Sequence, residues 1–431
     1  MTADPMEPLT RTSSAPQSSP TKFAVLVAGG GAVGLTVALG LAQTGIATAL
    51  VSPHTPSKGI AANSRTVALF GASLALLRQL GAWDEDAQFA ENLTGIRIID
   101  ATGGLLRAPE VLFKAADIGA VSFGANVHNI VLEGTLRAAV EKASQSGLIT
   151  WFDARSVAGL TFGNCGVVAR LDNGSTIEAG LVVGADGRGS ICRKAAGIGV
   201  VERRYDQIAI TATFNHQRPH HGISTEFHTL SGPCTTVPLP GRRSSLVLVE
   251  RPDEARRMLA LDDPAFIAAL EQRLQGLLGP ISSLGPRGGF PLTWMKADRL
   301  AAQRVMLAGE AAHVIPPIGA QGLNLGLRDA GCLIDCISQA QMAGRDLGGE
   351  ESLAAYQSAR AADLATRMTA VDALNRSLLA NLLPVNLARG LGLHAVLASP
   401  WLRARIIEAG LSPPGALPRS MRPVTSERPL L

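Results

Sequence analysis

At 431 residues the chain exceeds one average domain, so two domains are expected, with a core large enough to need no disulfide or metal staple. Hydrophobic residues make up 46%, with 46 glycines and only 4% aromatics, which suits an Ala/Leu/Val/Gly-rich α/β protein and excludes a disordered or fibrous chain. The net charge is only +4, without a Lys/Arg run, so nothing argues for nucleic acid as a partner.

Residues 1–20, MTADPMEPLTRTSSAPQSSP, read as a disordered tail and lack the charged start and apolar core of a secretion signal. Phe23–Ala28 is a continuous apolar strand of the kind found at the centre of a parallel sheet. Gly29-Gly-Gly31-Ala32-Val-Gly34 follows as a complete G-x-G-x-x-G, then a helix over Leu35–Thr44 and a second strand over Ala47–Val51. In that context Gly29 permits the tight turn, Gly31 lets a pyrophosphate approach the backbone, and Gly34 lets helix and strand pack closely. Phe23–Val51 is long enough to span a membrane, but its glycines and its helix-to-strand change make it a buried βαβ unit. A bound dinucleotide is therefore expected. The acidic residue that normally ends the second strand and holds the ribose is missing; neutral Ser52 stands there.

Arg65, in Asn63-Ser-Arg65-Thr-Val-Ala-Leu69, is a lone cation at the expected cofactor edge, either a ligand contact or a plain surface arginine, and a helix follows over Gly71–Leu80. Gly95–Ala108, GIRIIDATGGLLRA, alternates about a turn at Thr102-Gly103-Gly104 and reads as a hairpin outside the first mononucleotide unit. Asn126–Ser146 has the period of an amphipathic helix, and Thr150–Val183 holds short strands with turns at Gly163-Asn164 and Asp172-Asn173-Gly174. The apolar run Leu181–Gly184 then delivers Asp186 to the glycine-rich turn Gly184–Arg193. A carboxylate there can accept from ribose hydroxyls while Gly187 and Gly189 leave room for a pyrophosphate; Ser190 reads alternatively as a helix N-cap.

Tyr205–Glu250 is β-rich and carries His216, His220, His221 and His228, four of the eight histidines. No cysteine or carboxylate completes a compact zinc site, which leaves a polar sheet over a substrate pocket or plain surface histidines. The segment reads as an inserted domain ending near Pro291, after a solvated helix over Pro264–Leu278, and dinucleotide-domain character returns at Arg304.

Val305–Gly331 begins as a strand to Ala308, breaks at Gly309, carries one carboxylate at Glu310 and crosses a loop holding Pro316, Pro317, Gly319 and Gly322. It then enters a helix with Leu323, Leu327 and Ala330 at helical spacing. Orphan N–H groups and the helix dipole would suit a phosphate or another electron-rich group there. The five cysteines, Cys165, Cys192, Cys234, Cys332 and Cys336, form no C-x-x-C pair and read as reduced thiols of a reducing cytoplasm, with Cys332 and Cys336 close enough at i,i+4 to touch. Glu351–Leu374 is a long amphipathic helix. Leu378–Ile407 is apolar, broken by Pro384 and Pro400, and the region carries Arg376, Arg389, Arg403 and Arg405. It suits an interfacial membrane contact, a protein interface or the packing of a terminal helical layer.

Three signatures thus stand in order: Gly29–Gly34, Gly184–Arg193 and Gly309–Asn324. The triple resembles the aromatic-hydroxylase class of single-component flavoprotein monooxygenases, which share the para-hydroxybenzoate hydroxylase fold. The late stretch GEAAHVIPPIGAQGLNLGLRDAG is similar to the ubiquinone-biosynthesis hydroxylase family, as are SRTVALFGASLALLRQLGAW, RPHHGISTEFHT and GPCTTVPLPGRRSSLV, so that the resemblance covers Lys22–Pro423. It implies an α/β fold with a Rossmann-like FAD-binding domain, discontinuous at residues 21–94, 126–204 and 292–375. A β-sheet substrate domain would come from a hairpin at 95–125 and from 205–291, and a C-terminal helical region from 376–431.

The resemblance implies FAD as cofactor and NAD(P)H as reductant. Gly29, Gly31, Ala32 and Gly34 would hold the FAD pyrophosphate, and Asp186 and Gly187 would serve both FAD and the pyridine nucleotide. Gly309 and Glu310 would meet the ribitol and pyrophosphate, Pro316, Gly319, Gln321, Gly322, Leu323 and Asn324 would line the isoalloxazine, and Arg65 would sit near the flavin. Two positions depart from the family: Glu310 stands where the broader class has Asp, and Ser52 removes a ribose contact. In such proteins reduced flavin reacts with dioxygen to give a hydroperoxide that hydroxylates an electron-rich ring, while the protein supplies orientation and water exclusion. No nucleophile–base triad is then needed, no metal is expected, and no G-x-S-x-G, P-loop or H-E-x-x-H occurs. The sequence does not identify the acceptor that a phenolic hydroxyl would need. The expected substrate is a polyprenylated phenol or quinone precursor of ubiquinone, hydroxylated in the cytoplasm, at the inner face of the membrane, within a ubiquinone-biosynthesis complex. The rivals are a hydroxylase of a soluble aromatic compound and a non-catalytic assembly subunit whose FAD site has decayed at Ser52.

Overall fold

The computed structural model describes residues 21–54, 65–84, 88–102, 109–379, 394, 396–411 and 417–422. In chain order the strands are β1 (Thr21–Ala28), β2 (Thr48–Val51), β3 (Thr66–Phe70), β4 (Ala90–Asn92), β5 (Gly95–Asp100), β6 (Val111–Lys114), β7 (Gly124–His128), β8 (Ile149–Phe152), β9 (Val157–Phe162), β10 (Val167–Leu171), β11 (Thr176–Gly184), β12 (Val200–His216), β13 (Ile223–Thr229), β14 (Gly232–Leu239), β15 (Arg243–Glu250), β16 (Ile281–Leu284), β17 (Gly288–Ala297), β18 (Ala301–Ala302), β19 (Val305–Leu307) and β20 (His313–Val314). The α-helices are α1 (Ala32–Gln43), α2 (Gly71–Gln79), α3 (Asn129–Ser144), α4 (Ile191–Ala195), α5 (Pro252–Ala260), α6 (Asp263–Arg273), α7 (Gln321–Met342), α8 (Glu350–Leu379) and α9 (Pro400–Leu411).

The apolar runs build a first sheet in the order β18-β19-β11-β1-β2-β8, with β1 parallel to both β2 and β11. Val25, Leu26 and Val27 are fully buried, as expected for a central parallel strand covered on both faces. Helix α1 packs on α3 and α7, and the antiparallel pair β9–β10 extends from β11. Register explains why the three glycine signatures converge. Ala28 pairs with Val51 and Gly184, and Gly184 pairs with Leu307, so Gly29, Asp186 and Gly309 all lie just beyond one row at the strands' C-terminal ends. That edge of an open α/β sheet is where ligands bind.

A second sheet runs β20-β17-β12-β15-β14-β13-β5-β6, with β16 beside β12. Along β12, Ile210, Ala212 and Phe214 turn toward a core shared with Phe266 and Leu270 of α6, while Thr211 and Thr213 take the opposite face. A third, small sheet is β3-β7-β4. The stretch Val305–Gly331 links the layers: β19 belongs to the first sheet, β20 to the second, and α7 runs back against α1.

Several sequence boundaries shift. The helix expected from Asn126 starts at Asn129, because Gly124–His128 pair antiparallel with Thr66–Phe70 instead. The expected hairpin does form, but its return arm is Val111–Lys114; residues 103–108 lie outside the described residues. Helix α6 stops at Arg273, where Gln275 at φ 50° and Gly276 at φ 69° turn the chain, rather than running to Leu278. Helix α8 extends from Glu350 to Leu379. Pro384, Arg389 and the N-terminal 20 residues lie outside the described residues. All five cysteines are free thiols, and Cys332 Sγ and Cys336 Sγ do touch, at 3.9 Å. Among the described residues no helix is long and apolar enough to cross a membrane.

The glycines of the first turn separate packing from binding. A Cβ on Gly34 would lie 1.9 Å from the Gly29 carbonyl oxygen, whereas one on Gly31 would meet nothing within 4 Å. Gly34→Ala should therefore destabilise the fold by about 2–4 kcal/mol in thermal or denaturant unfolding. Gly31→Ala should stay within about 0.5 kcal/mol of the parent and be felt only in cofactor affinity.

Candidate active site

Two adjoining cavities open at the convergent strand ends. The smaller, about 350 Å³, is walled by Gly31–Gly34, Ala185, Gly187, Ala308, Gly309 and Glu310, with Asn129 and Glu133 from α3. Gly31 caps α1 without a side-chain hydrogen bond, so the first-turn N–H groups remain available to an anion. A Cβ on Gly31, Gly187 or Gly322 would project into open space, and Asn129 Oδ1 is buried with no hydrogen-bond partner among the described residues. A helix N-terminus, an open glycine cradle and an orphaned acceptor together fit the pyrophosphate and ribitol of FAD. Burial raises the Glu133 pKa, and the nearby Arg137 guanidinium partly offsets it.

The larger cavity, about 570 Å³, lies between the late loop and the second sheet. Arg65, Asn129, Glu310, Val314, Ile315, Gly322 and Leu323 border both cavities, so an FAD lying in the smaller one would present its ring at the junction. The walls are largely apolar, from Ile96, Phe70, Val237, Val247 and Phe290, with Thr211, Ser224, Glu226, Thr235 and Asn126 as polar points. That mixture is typical of a small-molecule site. The Arg65 guanidinium stands 4.5 Å from the centre of the Phe290 ring.

Behind the cofactor side lies a buried charge network. Gly309, at φ 59°, donates its N–H to Asp329 Oδ2 at 2.9 Å; His313 Nε2 meets the same oxygen at 2.6 Å, and Arg360 Nε donates to Oδ1 at 2.8 Å. Arg360 also bonds Asp363, which Arg328 and Arg367 reach at 3.0 Å. Burial alone would raise the Asp329 carboxyl, but His313 and Arg360 hold it below the ordinary value. Asp363 is likewise pulled down to about 2 by Arg328 and Arg360 against the cost of burial. Tyr356 adds a hydrogen bond to the Leu307 carbonyl at 2.7 Å, tying α8 to β19.

The expected site residues fall into three groups. Gly31, Ala32, Gly34, Gly187 and Gly309 border the smaller cavity, Gly319 the larger, and Arg65, Glu310, Gly322 and Leu323 both. A second group is committed to protein contacts. Asp186 caps α4, accepting from Ser190 Oγ at 2.6 Å, Ile191 N at 2.8 Å and Cys192 N at 3.1 Å, while Ser190 is the N-cap itself. Asn324 accepts from Phe70 N at 2.9 Å and Ser73 Oγ at 2.8 Å and donates to Ala68 O and Ala320 O. Gln321 bonds Arg367 at 3.1 Å and the Gly410 carbonyl at 3.2 Å. The third group is packing: Gly29, at φ 113°, lies against the Ala185 carbonyl, and Pro316 is buried apart from both cavities. Ser52 is 1% exposed beneath Gly30 and gives its hydroxyl to the Pro53 carbonyl at 3.2 Å.

Of the histidines, His216 bonds the Arg218 carbonyl and Ser244, His220 bonds the Leu239 carbonyl, and His228 pairs with Glu226 at 2.8 Å. Among the described residues no group of His, Cys, Asp and Glu could hold a metal ion. Asn129, Glu133, Arg137 and Glu226 escaped the sequence reading. Each is a lone polar residue in an amphipathic helix or alternating strand, where nothing local separates a cavity wall from solvent.

A family model described as an FAD binding domain matches residues 22–371. The chain is 37% identical over 374 residues to the ubiquinone hydroxylase UbiL of Rhodospirillum rubrum, covering 86% of this chain and 85% of that protein. It is 30% identical over 397 residues to the 3-demethoxyubiquinol 3-hydroxylase of Escherichia coli, covering 91% and 99%. Among solved structures, p-nitrophenol 4-monooxygenase PnpA of Pseudomonas putida matches with a TM-score of 0.72 at 19% identity, covering 91% and 99%. PqsL of Pseudomonas aeruginosa, a probable FAD-dependent monooxygenase, matches with 0.70 at 23%, covering 87% and 100%. The fold is that of the FAD-dependent monooxygenases.

The charge network carries a pH signature. A depressed carboxylate stabilises the fold above its unfolded pKa and loses that contribution as pH falls through the folded value. For Asp363 that window runs from the ordinary 3.8 down to about 2. Unfolding free energy should therefore drop over this range. Asp329→Asn should cost about 3–5 kcal/mol at neutral pH, because Arg360 loses a buried counter-charge, and should flatten the acid slope. Equal acid slopes in parent and variant would contradict a charged Asp329.

Proposed function

We propose that this protein, which belongs to the FAD-binding-domain family of flavin-dependent monooxygenases, hydroxylates the aromatic ring of a polyprenylated phenol or quinone precursor of ubiquinone. The observation that carries the reading is the pair of adjoining cavities: a glycine-cradled one of FAD character opening into an apolar chamber with a few polar points. The relatives named ubiquinone hydroxylase and 3-demethoxyubiquinol 3-hydroxylase, each matched over most of its length, supply the substrate class.

FAD, reduced by NAD(P)H, would supply the oxygen-activating chemistry with dioxygen. This chain's residues then bind and orient. The N–H groups at the start of α1, opened by Gly31 and Ala32, would hold the pyrophosphate, with Gly34 and Gly29 setting the turn. Gly309, Glu310 and Gly187 would bracket the ribitol, and Gly319, Gly322 and Leu323 would lie along the ring edge with Arg65. Asp186, Gln321 and Asn324 would act by fixing the backbone that does this, and Pro316 by stiffening the loop. The apolar walls, including Ile315 and Phe290, would exclude water from the reacting centre.

A polyprenyl tail also calls for delivery from a greasy phase. Helix α9 presents exposed Trp401 and Ile406, with the Arg405 guanidinium 5.9 Å from the Trp401 ring centre. An aromatic residue flanked by cations suits the headgroup layer of a membrane surface, where partners of a ubiquinone-biosynthesis complex would also be met.

The test is quinone-intermediate profiling by mass spectrometry in a deletion strain, which should accumulate a precursor lacking one ring hydroxyl and clear it when the gene is returned. Purified protein should take up one FAD per chain. NAD(P)H oxidation stimulated by simple hydroxybenzoates but not by prenylphenols would overturn the substrate assignment in favour of a soluble aromatic. Failure to bind FAD after reconstitution would favour an assembly subunit.

A further inference from the structure

We propose that Glu226, braced by His228 on the sheet wall of the larger cavity, accepts the hydrogen bond of the substrate's ring hydroxyl. The inference deepens the ring-hydroxylase reading and rests on it. Strand alternation puts Ser224, Glu226 and His228 on one face of β13, while Phe227 points the other way into the core under α5 and α6. Ser224 and Glu226 both wall the cavity. Register then sets Glu226 in a row across the sheet: it pairs with Thr235, Thr235 with Val247, and Val247 with Thr211, and all four border the chamber.

The Glu226 carboxylate is incompletely served by the protein. Its Oε1 meets His228 Nε2 at 2.8 Å, whereas among the described residues Oε2 has only the Thr235 hydroxyl at 3.4 Å, beyond the usual range for an O–H···O bond. Its side chain is 16% exposed and that of His228 7%. A carboxylate so shielded is stabilised by further donors, and a ring hydroxyl entering the chamber would supply one at Oε2. Among the described residues bordering this cavity, the other carboxylate is Glu310, which also borders the smaller cavity. A hydrogen bond drawn toward Oε2 pushes electron density from the hydroxyl oxygen onto the ring carbons ortho and para to it. Those are the carbons an electrophilic oxygen attacks, so the same contact orients the substrate and activates it.

Asn126 is the competing acceptor. It borders the same chamber, is 1% exposed, and its Oδ1 has no hydrogen-bond partner among the described residues.

The experiment titrates FAD-loaded protein with 2-prenylphenol and with prenylbenzene, which lacks the hydroxyl, following the perturbation of flavin absorbance. The parent should prefer the phenol by about ten- to a hundredfold, the worth of a hydrogen bond to a charged group. Glu226→Gln, neutral and isosteric, should lower that ratio about tenfold, and Glu226→Leu should bring it close to one, with prenylbenzene affinity held. Whichever of the two retains its flavin decides the matter. A ratio unchanged in the flavin-loaded variant overturns the assignment, as does a ratio that collapses in Asn126→Ala but not at Glu226. Parent protein that binds both compounds equally overturns Glu226 alone. Parent protein that binds neither overturns the ring-hydroxylase reading and this assignment with it.

Discussion

The Asp329 carboxylate is the point on which the site's geometry depends. It accepts from the Gly309 N–H, from His313 and from Arg360, which belong respectively to the end of the first sheet, the start of the second and helix α8. Gly309 takes a left-handed conformation, which glycine tolerates but does not prefer strongly enough to hold unaided. One buried acceptor therefore fixes a backbone turn and the relative placement of two sheets and a helix. Buried ion pairs seldom add much net stability, because desolvation consumes the Coulomb gain. Their value here is positional: removing one partner leaves a bare charge, so the alternative arrangements of the loop are strongly disfavoured.

The ring side of the loop is fixed by a different device. Ala320 sits at φ 53°, a left-handed conformation that costs a non-glycine residue on the order of 1 kcal/mol. Asn324, one turn into α7, donates to the Ala320 carbonyl and anchors the same turn to β3 and α2 through Phe70, Ser73 and Ala68. Several buried hydrogen bonds, each worth about 1 kcal/mol, outweigh that strain. The helix N-terminus is thereby held where Gly322 and Leu323 border both cavities. Asp329 and Asn324, five residues apart on one helix, thus fix the two ends of the loop, at Gly309 and at Ala320, where the proposed reading puts the phosphate and ring sides of FAD.

Glycine carries most of what the sequence reveals about this site, since a position that admits no Cβ restricts its residue severely. Gly29, Gly34 and Gly309 were readable for that reason, and the apolar runs Phe23–Ala28 and Leu181–Gly184 for being buried on both faces. What stayed hidden depends on pairing between distant segments. Asn126–His128 carry helical periodicity yet pair with Thr66–Ala68, and the hairpin partner of β5 is Val111–Lys114 beyond the visible turn. Asn324 is expected at the cofactor from the family resemblance, and Asp186 as a carboxylate that could accept from ribose hydroxyls. Their side chains are engaged by Phe70, Ser73, Ser190 and Ile191, and local spacing cannot show such commitments. Glu226 lies in a stretch similar to the family but is not itself singled out, because a carboxylate in an alternating strand looks solvent-facing until the opposite wall is known.

Ser52 illustrates how a missing motif residue can have a structural reason. A Cβ on Gly30 would fall 1.8 Å from Ser52 Oγ, so the two residues are packed back to back and the hydroxyl cannot face a ribose. The edge where an acid would stand is instead closed by Arg137, which donates to the Gly30 carbonyl at 3.0 Å and the Pro53 carbonyl at 2.9 Å. Trp151 donates to the Ser52 carbonyl at 2.9 Å and stacks on His54, their ring centres 4.9 Å apart. A longer acidic side chain at position 52 would have to displace Gly30 or reach past this arginine–tryptophan clasp. The turn is thus held by cationic and aromatic contacts with its own carbonyls, where the usual arrangement spends a carboxylate on the ligand. In the proposed reading, affinity for FAD would then come mainly from the α1 N-terminus and from the turn that Asp329 fixes at Gly309, which would place the burden of cofactor binding back on the buried charge network.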